Sequence, residues 1–185
     1  VQVNRPSGKE HPGAPLETSR LILRRLGADD AGFILELLNE PSFLRFVGDK
    51  GVRTLEDAAR YISEGPGTSY RVNGYGLYLV ANRETGQPMG ISGLVRRDWL
   101  DAPDIGFSLR PAFWSRGYAR EAAAAVLEQA ATVFGLRRIL AITTPDNRDS
   151  IRLLERLGFT FWKKVRTPDG REELDLRSTV QEPGG

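Results

Sequence analysis

FWSRGYAREAAAAVLEQA, residues 113–130, sets an arginine and a lone glycine directly before a run of alanines. Alanine carries the lowest conformational cost in a helix interior, and Glu121, Leu127, Glu128 and Gln129 are also good formers, so the run predicts a helix. Gly117 then falls at its start. The first backbone N–H groups of a helix have no internal partner and are free to face an anion. Gly117 and Ala119, with little or no side chain, would let those amides approach a phosphate closely. A tight turn explains Gly117 equally well, since a helix N-terminus is worth only about 0.3–1 kcal/mol to an exposed charge.

The flanks of this stretch give it a setting. DIGFSLR (104–110) before it and RRILAIT (137–143) after it read as strands, which predicts a strand–helix–strand unit with parallel strands and a right-handed crossover. Ala123, Val126, Leu127, Ala130 and Phe134 form the helix's core-facing stripe. Nearer the N-terminus, RLILRRL (20–26) alternates like a strand, and ADDAGFILELLNE (28–40) has acidic residues in its first turn and Phe33, Leu37 and Leu38 at helical spacing. A second helical region covers PSFLRFVG (41–48) and TLEDAARYISEG (54–65). YGLYLVAN (75–82) and PMGISGLVRR (88–97) form a hairpin around RETGQ. After the unit come a helix, SIRLLERLG, ending on Gly158, and a strand pair, FTFWKKVR and REELDLRS, around TPDG. The expected fold class is α+β (mixed α/β), a mixed sheet with helices packed on it, and no repeat is visible.

Composition excludes several functions. A chain of 185 residues with 40% hydrophobic and 27% charged residues is expected to be one soluble domain. Its net charge of +2 is too balanced for nucleic-acid binding. With no cysteine there is no disulfide, thiolate nucleophile or thiolate metal site. The single histidine, His11, lies in a stretch rich in Pro, Gly and charge (1–15) that is expected to be a disordered tail, as is 179–185. No metal site or Ser-His-Asp triad is therefore expected. No apolar run approaches about 18 residues, so neither membrane nor signal peptide is expected, and a cytoplasmic location is the default. The Walker pattern and the G-x-G-x-x-G fingerprint are both missing.

A second motif decides the reading. PDNRDSIRLLERLGF (145–159) opens a helix just after the second parallel strand, with Asn147 and Ser150 on one side of its first turn. Together, IGFSLRPAFWSRGYAREA and NRDSIRLLERLGF resemble the acetyl-CoA-binding segments of the GNAT superfamily of N-acetyltransferases, and more narrowly its RimJ/RimL group. LETSRLILRRLGADDA and LGFTFWKKV fit the same group, so the resemblance spans residues 16–178. It implies a central, mostly antiparallel sheet of roughly seven strands with helices on both faces and one splayed parallel pair.

The resemblance also implies roles. The backbone of Phe107, Ser108 and Leu109 would bond the pantetheine arm of acetyl-CoA as an added strand pairs with a sheet edge. Amides from Ser115 through Arg120, that is Ser115, Arg116, Gly117, Tyr118, Ala119 and Arg120, would hold the pyrophosphate. Gly117 and Ala119 match the superfamily pattern, while Trp114 stands where Arg or Gln is common. Arg116 would add charge or be solvated. Asn147 and Ser150 would contact the pantetheine region or cap their helix. Leu109's amide would polarise the acetyl carbonyl. Many members carry a tyrosine as general acid where this chain has Leu154, so Ser150 inherits that role. Asp104 is the candidate base, with Glu173 and Asp175 as rivals.

The expected partners are acetyl-CoA and an amine acceptor, either a protein N-terminus or a small molecule, with a homodimer allowed. Asp98, Trp99, Asp101 and Asp104, in one connection, would attract a cationic amine or form a solvated loop. Tyr70, Tyr75 and Tyr78 would line the pocket or fill the core. The competing expectation is an acyl-CoA-binding sensor with little catalysis.

Overall fold

A computed structural model describes residues 13–180, so His11 and the outer parts of both tails lie outside the described residues. One eight-stranded sheet forms the centre, in the order β1-β2-β3-β4-β5-β6-β8-β7. Its strands are β1 (Leu16–Glu17), β2 (Leu21–Arg25), β3 (Leu77–Asn82), β4 (Pro88–Val95), β5 (Asp104–Leu109), β6 (Leu140–Thr143), β7 (Thr160–Arg166) and β8 (Glu173–Ser178). All neighbours pair antiparallel except β5 and β6. The sheet has one strand more than expected because the two-residue β1 folds back on β2.

Helices cover both faces. On one face lie α1 (Ala31–Leu38), α2 (Pro41–Phe46) and α3 (Leu55–Glu64), whose Ile34, Leu37, Phe43, Ala58 and Ile62 bury against Leu79 and Ile91 of the sheet. Thr54 caps α3, its side chain accepting from the Asp57 amide at 3.1 Å while Asp57 returns a bond to the Thr54 amide at 3.0 Å. On the opposite face lie α5 (Tyr118–Thr132) and α6 (Arg148–Arg156). Ala122, Ala123, Val126 and Ala130 of α5 and Leu154 of α6 join Ile105, Leu109 and Val80 in the largest apolar cluster. Two alanines at 0% exposure show why small residues were needed, since they let α5 lie close on the sheet.

α4 (Pro66–Asn73) is the helix the sequence did not announce. Its residues, PGTSYRVN, are poor formers, yet Pro66 sits at the helix start, where a missing N–H costs nothing, and Gly74 stops it in the left-handed region at φ 80°. It carries Tyr70 into the core, where the ring stacks on Tyr78 with centroids 6.0 Å apart. Tyr78 donates to Gln129 at 3.0 Å, and Tyr75 packs edge-on against Phe134. All three tyrosines are thus core residues, and burial holds Tyr70's hydroxyl up at about 12.

Candidate active site

The parallel strands β5 and β6 touch at a single register pair, Asp104 with Leu140. Beyond it β6 stays in ladder with β8 through Thr143–Asp175, and β5 stays with β4 through Leu109–Gly90. The two strands therefore splay apart, leaving a wedge open toward their C-terminal ends.

Alternation of the β5–β4 ladder decides which backbone groups line the wedge. Arg110 donates to Met89 at 2.9 Å, so Arg110, Ser108, Gly106 and Asp104 turn their main-chain groups to β4. On the other side, Leu140 donates to Pro103 at 2.9 Å, and Trp114's indole donates to the Leu109 carbonyl at 2.7 Å. The amides of Phe107 and Leu109 consequently face the wedge, as an added extended chain would require. Ser108 does not join them, because its N–H and C=O are spent on β4.

The same alternation sorts side chains by face. Ile105, Phe107 and Leu109 point toward α5, whereas Asp104, Gly106 and Ser108 point toward α1–α3. α1 and α2 lie over the wedge on that side: Glu36 of α1 pairs with Arg110 at the end of β5, and Arg45 of α2 pairs with Asp146 after β6 at 3.4 Å.

At the wide end, the chain passes from β5 through Pro111–Phe113 to the head of α5. Two residues there adopt left-handed backbone, Gly117 at φ 78° and, unusually for a residue with a side chain, Ser115 at φ 59°. The first amide with an acceptor is that of Glu121, which bonds the Gly117 carbonyl at 3.0 Å. No acceptor is present among the described residues for the amides of Ser115, Arg116, Gly117, Tyr118, Ala119 and Arg120. Six consecutive N–H groups without an acceptor among the described residues thus stand at the head of a 15-residue helix, where the helix dipole favours an anion. The side chains of Arg116 and Arg120 are exposed beside it.

This loop is braced from below by residues the sequence reading passed over. Arg20 donates through Nη1 to the Arg116 carbonyl at 3.0 Å and through Nε to Glu121 at 2.7 Å, and its guanidinium lies 4.4 Å from the Tyr118 ring centroid. Glu121 also accepts from the hydroxyl of Thr18 at 2.6 Å, that of Ser19 at 3.1 Å and the Arg20 amide at 3.0 Å. Burial pushes the Glu121 carboxyl up, but these donors prevail and hold it below its ordinary value.

Asn147 caps α6, its side chain accepting from the Ser150 amide at 3.2 Å. Ser150 is half-buried and its hydroxyl has no hydrogen bond among the described residues, so it is free to donate. Leu154, 1% exposed, is a core residue one turn further on. Asp104, also 1% exposed, accepts from Arg97 Nε at 2.8 Å; burial raises its carboxyl above the ordinary value against the pull of Arg97. Its rivals lie elsewhere. Glu173 is paired with Lys164 at 2.6 Å, and Asp175 sits on β8 between Leu174 and Leu176, which are buried, and so points to the opposite face of the sheet.

A wedge between splayed parallel strands beside a helix head with unpaired amides is the arrangement that the resemblance to acetyl-CoA-binding segments implies. Residues 20–160 match the family model for the acetyltransferase (GNAT) domain, so the chain belongs to the GNAT acetyltransferases and is an acetyl-CoA-dependent N-acetyltransferase. It is 29% identical over 146 residues to YoaA of Bacillus subtilis, an uncharacterized N-acetyltransferase, covering 78% of this chain and 81% of that protein. It is 26% identical over 176 residues to the FsC-acetyl coenzyme A-N(2)-transacetylase of Aspergillus fumigatus, covering 89% and 75%. An acetyltransferase from Agrobacterium tumefaciens shares the fold with a TM-score of 0.77 at 24% identity, over 98% of this chain and all of that one. RimL, a ribosomal L7/L12 α-N-protein acetyltransferase solved with coenzyme A, does so with a TM-score of 0.76 at 16% identity, over 89% and 97%.

Proposed function

We propose that the chain acetylates a primary amine, of a protein N-terminus or of a small molecule, by direct attack within a ternary complex. The observation that carries this reading is the run of unpaired amides from Ser115 to Arg120 opening onto the wedge between β5 and β6. Those amides bind the diphosphate of acetyl-CoA, and the amide of Phe107 holds the pantetheine arm as a strand would. The thioester then lies in the wedge with its carbonyl on the Leu109 N–H, reached by the acceptor from the α1–α3 side.

Chemistry follows from position. A thioester is already activated, and holding an amine beside it supplies effective molarities of about 10⁵–10⁸ M. The amine's lone pair attacks the carbonyl carbon, the Leu109 amide stabilises the oxyanion, and the C–S bond breaks. Ser150 gives its proton to the leaving thiolate and is reprotonated from solvent. Asp104 takes the proton lost by the amine; being 1% exposed and at the far end of β5 from Leu109, it does so through a chain of waters.

Calorimetry with acetyl-CoA and thiol release over a panel of amines test the reading. Ser150→Ala is expected to lower kcat by about 10²–10⁴ while acetyl-CoA affinity stays within a few-fold. Unchanged kcat would remove Ser150 from the mechanism. Acetyl-CoA binding without turnover on any amine would favour a sensor, a reading that Leu154 in the acid's usual place keeps in view.

A further inference from the structure

β5 presents two kinds of group to the wedge, and the reaction above uses only one of them. The amides of Phe107 and Leu109 look along the sheet into the gap, while Ser108, between them, stands its side chain out of the sheet on the α1–α3 face. Its N–H and C=O are spent on β4, so nothing in its main chain serves the cofactor. The side chain is uncommitted. Ser108 is half-buried, its hydroxyl has no hydrogen bond among the described residues, and the oxygen is open to solvent.

Packing alone gives no reason for a serine here. Its partner in register is Ile91, 3% exposed in the apolar layer under α1, and a strand paired on both sides favours β-branched or aromatic residues at such a place. A small side chain leaves that layer open. Gly106, two residues back on the same face, opens it further, since a Cβ there would meet nothing nearer than the Leu77 side chain at 3.5 Å.

Covalent geometry sets the hydroxyl beside the reacting group. The Cα of Ser108 is two bonds from the nitrogen of Leu109, the amide that takes the thioester carbonyl in the proposed complex. A carbonyl paired with a strand amide as in an added strand lies near the plane of the sheet, and a nucleophile reaches its carbon from above or below that plane. On the α5 face the side chains of Phe107 and Leu109 fill the approach as they pack into the largest apolar cluster. The α1–α3 face is the open one. Of the two residues of β5's end that flank Leu109 there, Arg110 is engaged by Glu36 and Ser108 is free.

We propose that the Ser108 hydroxyl holds the acceptor: its oxygen accepts one N–H of the incoming neutral amine and turns the nitrogen lone pair onto the thioester carbon. Ser108 keeps its own proton throughout. The second hydrogen of the amine is the one given up after attack, so the arrangement selects primary amines. A secondary amine has a single N–H, which cannot serve both uses. Ser150 and Ser108 divide the reaction by face, Ser150 protonating the departing sulfur from α6 and Ser108 holding the arriving nitrogen from the other side. The proposal rests on the acetyl-transfer reading.

The test pairs phenethylamine, leucinamide and a tetra-alanine peptide with their N-methyl analogues and follows thiol release from acetyl-CoA. In Ser108→Ala, kcat/KM for the primary amines is expected to fall about tenfold while acetyl-CoA affinity stays within about twofold. The wild type's preference for each primary amine over its N-methyl analogue should shrink about threefold or more in that variant, a change that lost packing does not produce. Ser108→Thr, which keeps the hydroxyl on a residue suited to a strand, is expected to recover most of the rate. An unchanged kcat/KM in Ser108→Ala, an undiminished preference for primary amines, or Ser108→Thr as slow as Ser108→Ala would overturn the proposal. So would a matching loss of acetyl-CoA affinity and urea midpoint, which would make Ser108 a structural residue of β5. If no amine is acetylated although acetyl-CoA binds, it is the transfer reading that fails. Calorimetry of phenethylamine on the coenzyme-A-loaded protein then decides Ser108: weaker binding to Ser108→Ala upholds the contact, and equal or absent binding refutes it.

Discussion

Glu121 receives four bonds from three consecutive residues, Thr18, Ser19 and Arg20, and so fastens the β1–β2 turn to the first turn of α5. Arg20 completes the link by holding the Arg116 carbonyl, which fixes how the amides on either side of it face. Ser115 sits in left-handed backbone at a cost of about 1–2 kcal/mol, a conformation that needs such a brace. Arg20→Gln is therefore expected to weaken acetyl-CoA binding by about tenfold, the equivalent of one charge-assisted bond. An acetyl thioester of N-acetylcysteamine, which has no diphosphate, should be used as well by the variant as by the wild type. Equal loss with both donors would mean that Arg20 supports the fold and not the loop. Local spacing marks Gly117, Ser150 and the helix start, but not this brace, because its partners lie 101 positions apart and neither residue type is unusual where it stands.

β4 shows what an element can conceal. Its residues PMGISGLV read as a buried strand and are one, flanked on both sides by antiparallel partners. Alternation places Ser92 on the α5 face opposite Phe107, where it is fully buried and its hydroxyl has no partner among the described residues. A buried hydroxyl without a bond costs about 1–3 kcal/mol, so Ser92→Ala is expected to raise stability by up to ~1–3 kcal/mol, read from the urea midpoint. A loss of stability would show that the hydroxyl is satisfied after all. The alternating strands and the alanine helix were readable because periodicity and propensity agree there. α4 was not, because tertiary burial of Tyr70 and Pro66 outweighs a sequence of weak formers. The wedge was expected from resemblance alone. The reason it opens is β6's continued pairing with β8, a contact between residues some 35 apart that no window of sequence displays. The turning of Ser108 away from it follows from ladder phase, which likewise depends on a partner strand.

For the molecule as a whole, the carboxylates oppose one another in their response to acid. Burial raises Asp30, but Arg24's two bonds at 2.8 Å and the Gly27 amide outweigh it and leave the group below its ordinary value; Glu121 behaves alike. Such groups contribute stability above the unfolded carboxylate range, about pH 4, and lose it as pH falls through their folded values. Asp104 has the reverse sign. Its folded value is raised, chiefly by burial, so its contribution is complete below about pH 4 and is lost as pH rises through that raised value. Between neutral pH and pH 3, the wild type thus loses stability from Asp30 and Glu121 while regaining some from Asp104. Asp104→Asn removes the regain but keeps an acceptor for Arg97. Its urea midpoint is expected to fall more steeply with acid than the wild type's, whatever the absolute stability of the variant. Parallel slopes would mean that Arg97 has cancelled the effect of burial. Asp104 would then be an ordinary ion-paired carboxylate, too weak a base for an ammonium. A steeper slope would leave it a carboxyl kept basic by its surroundings, as proton acceptance from the amine requires.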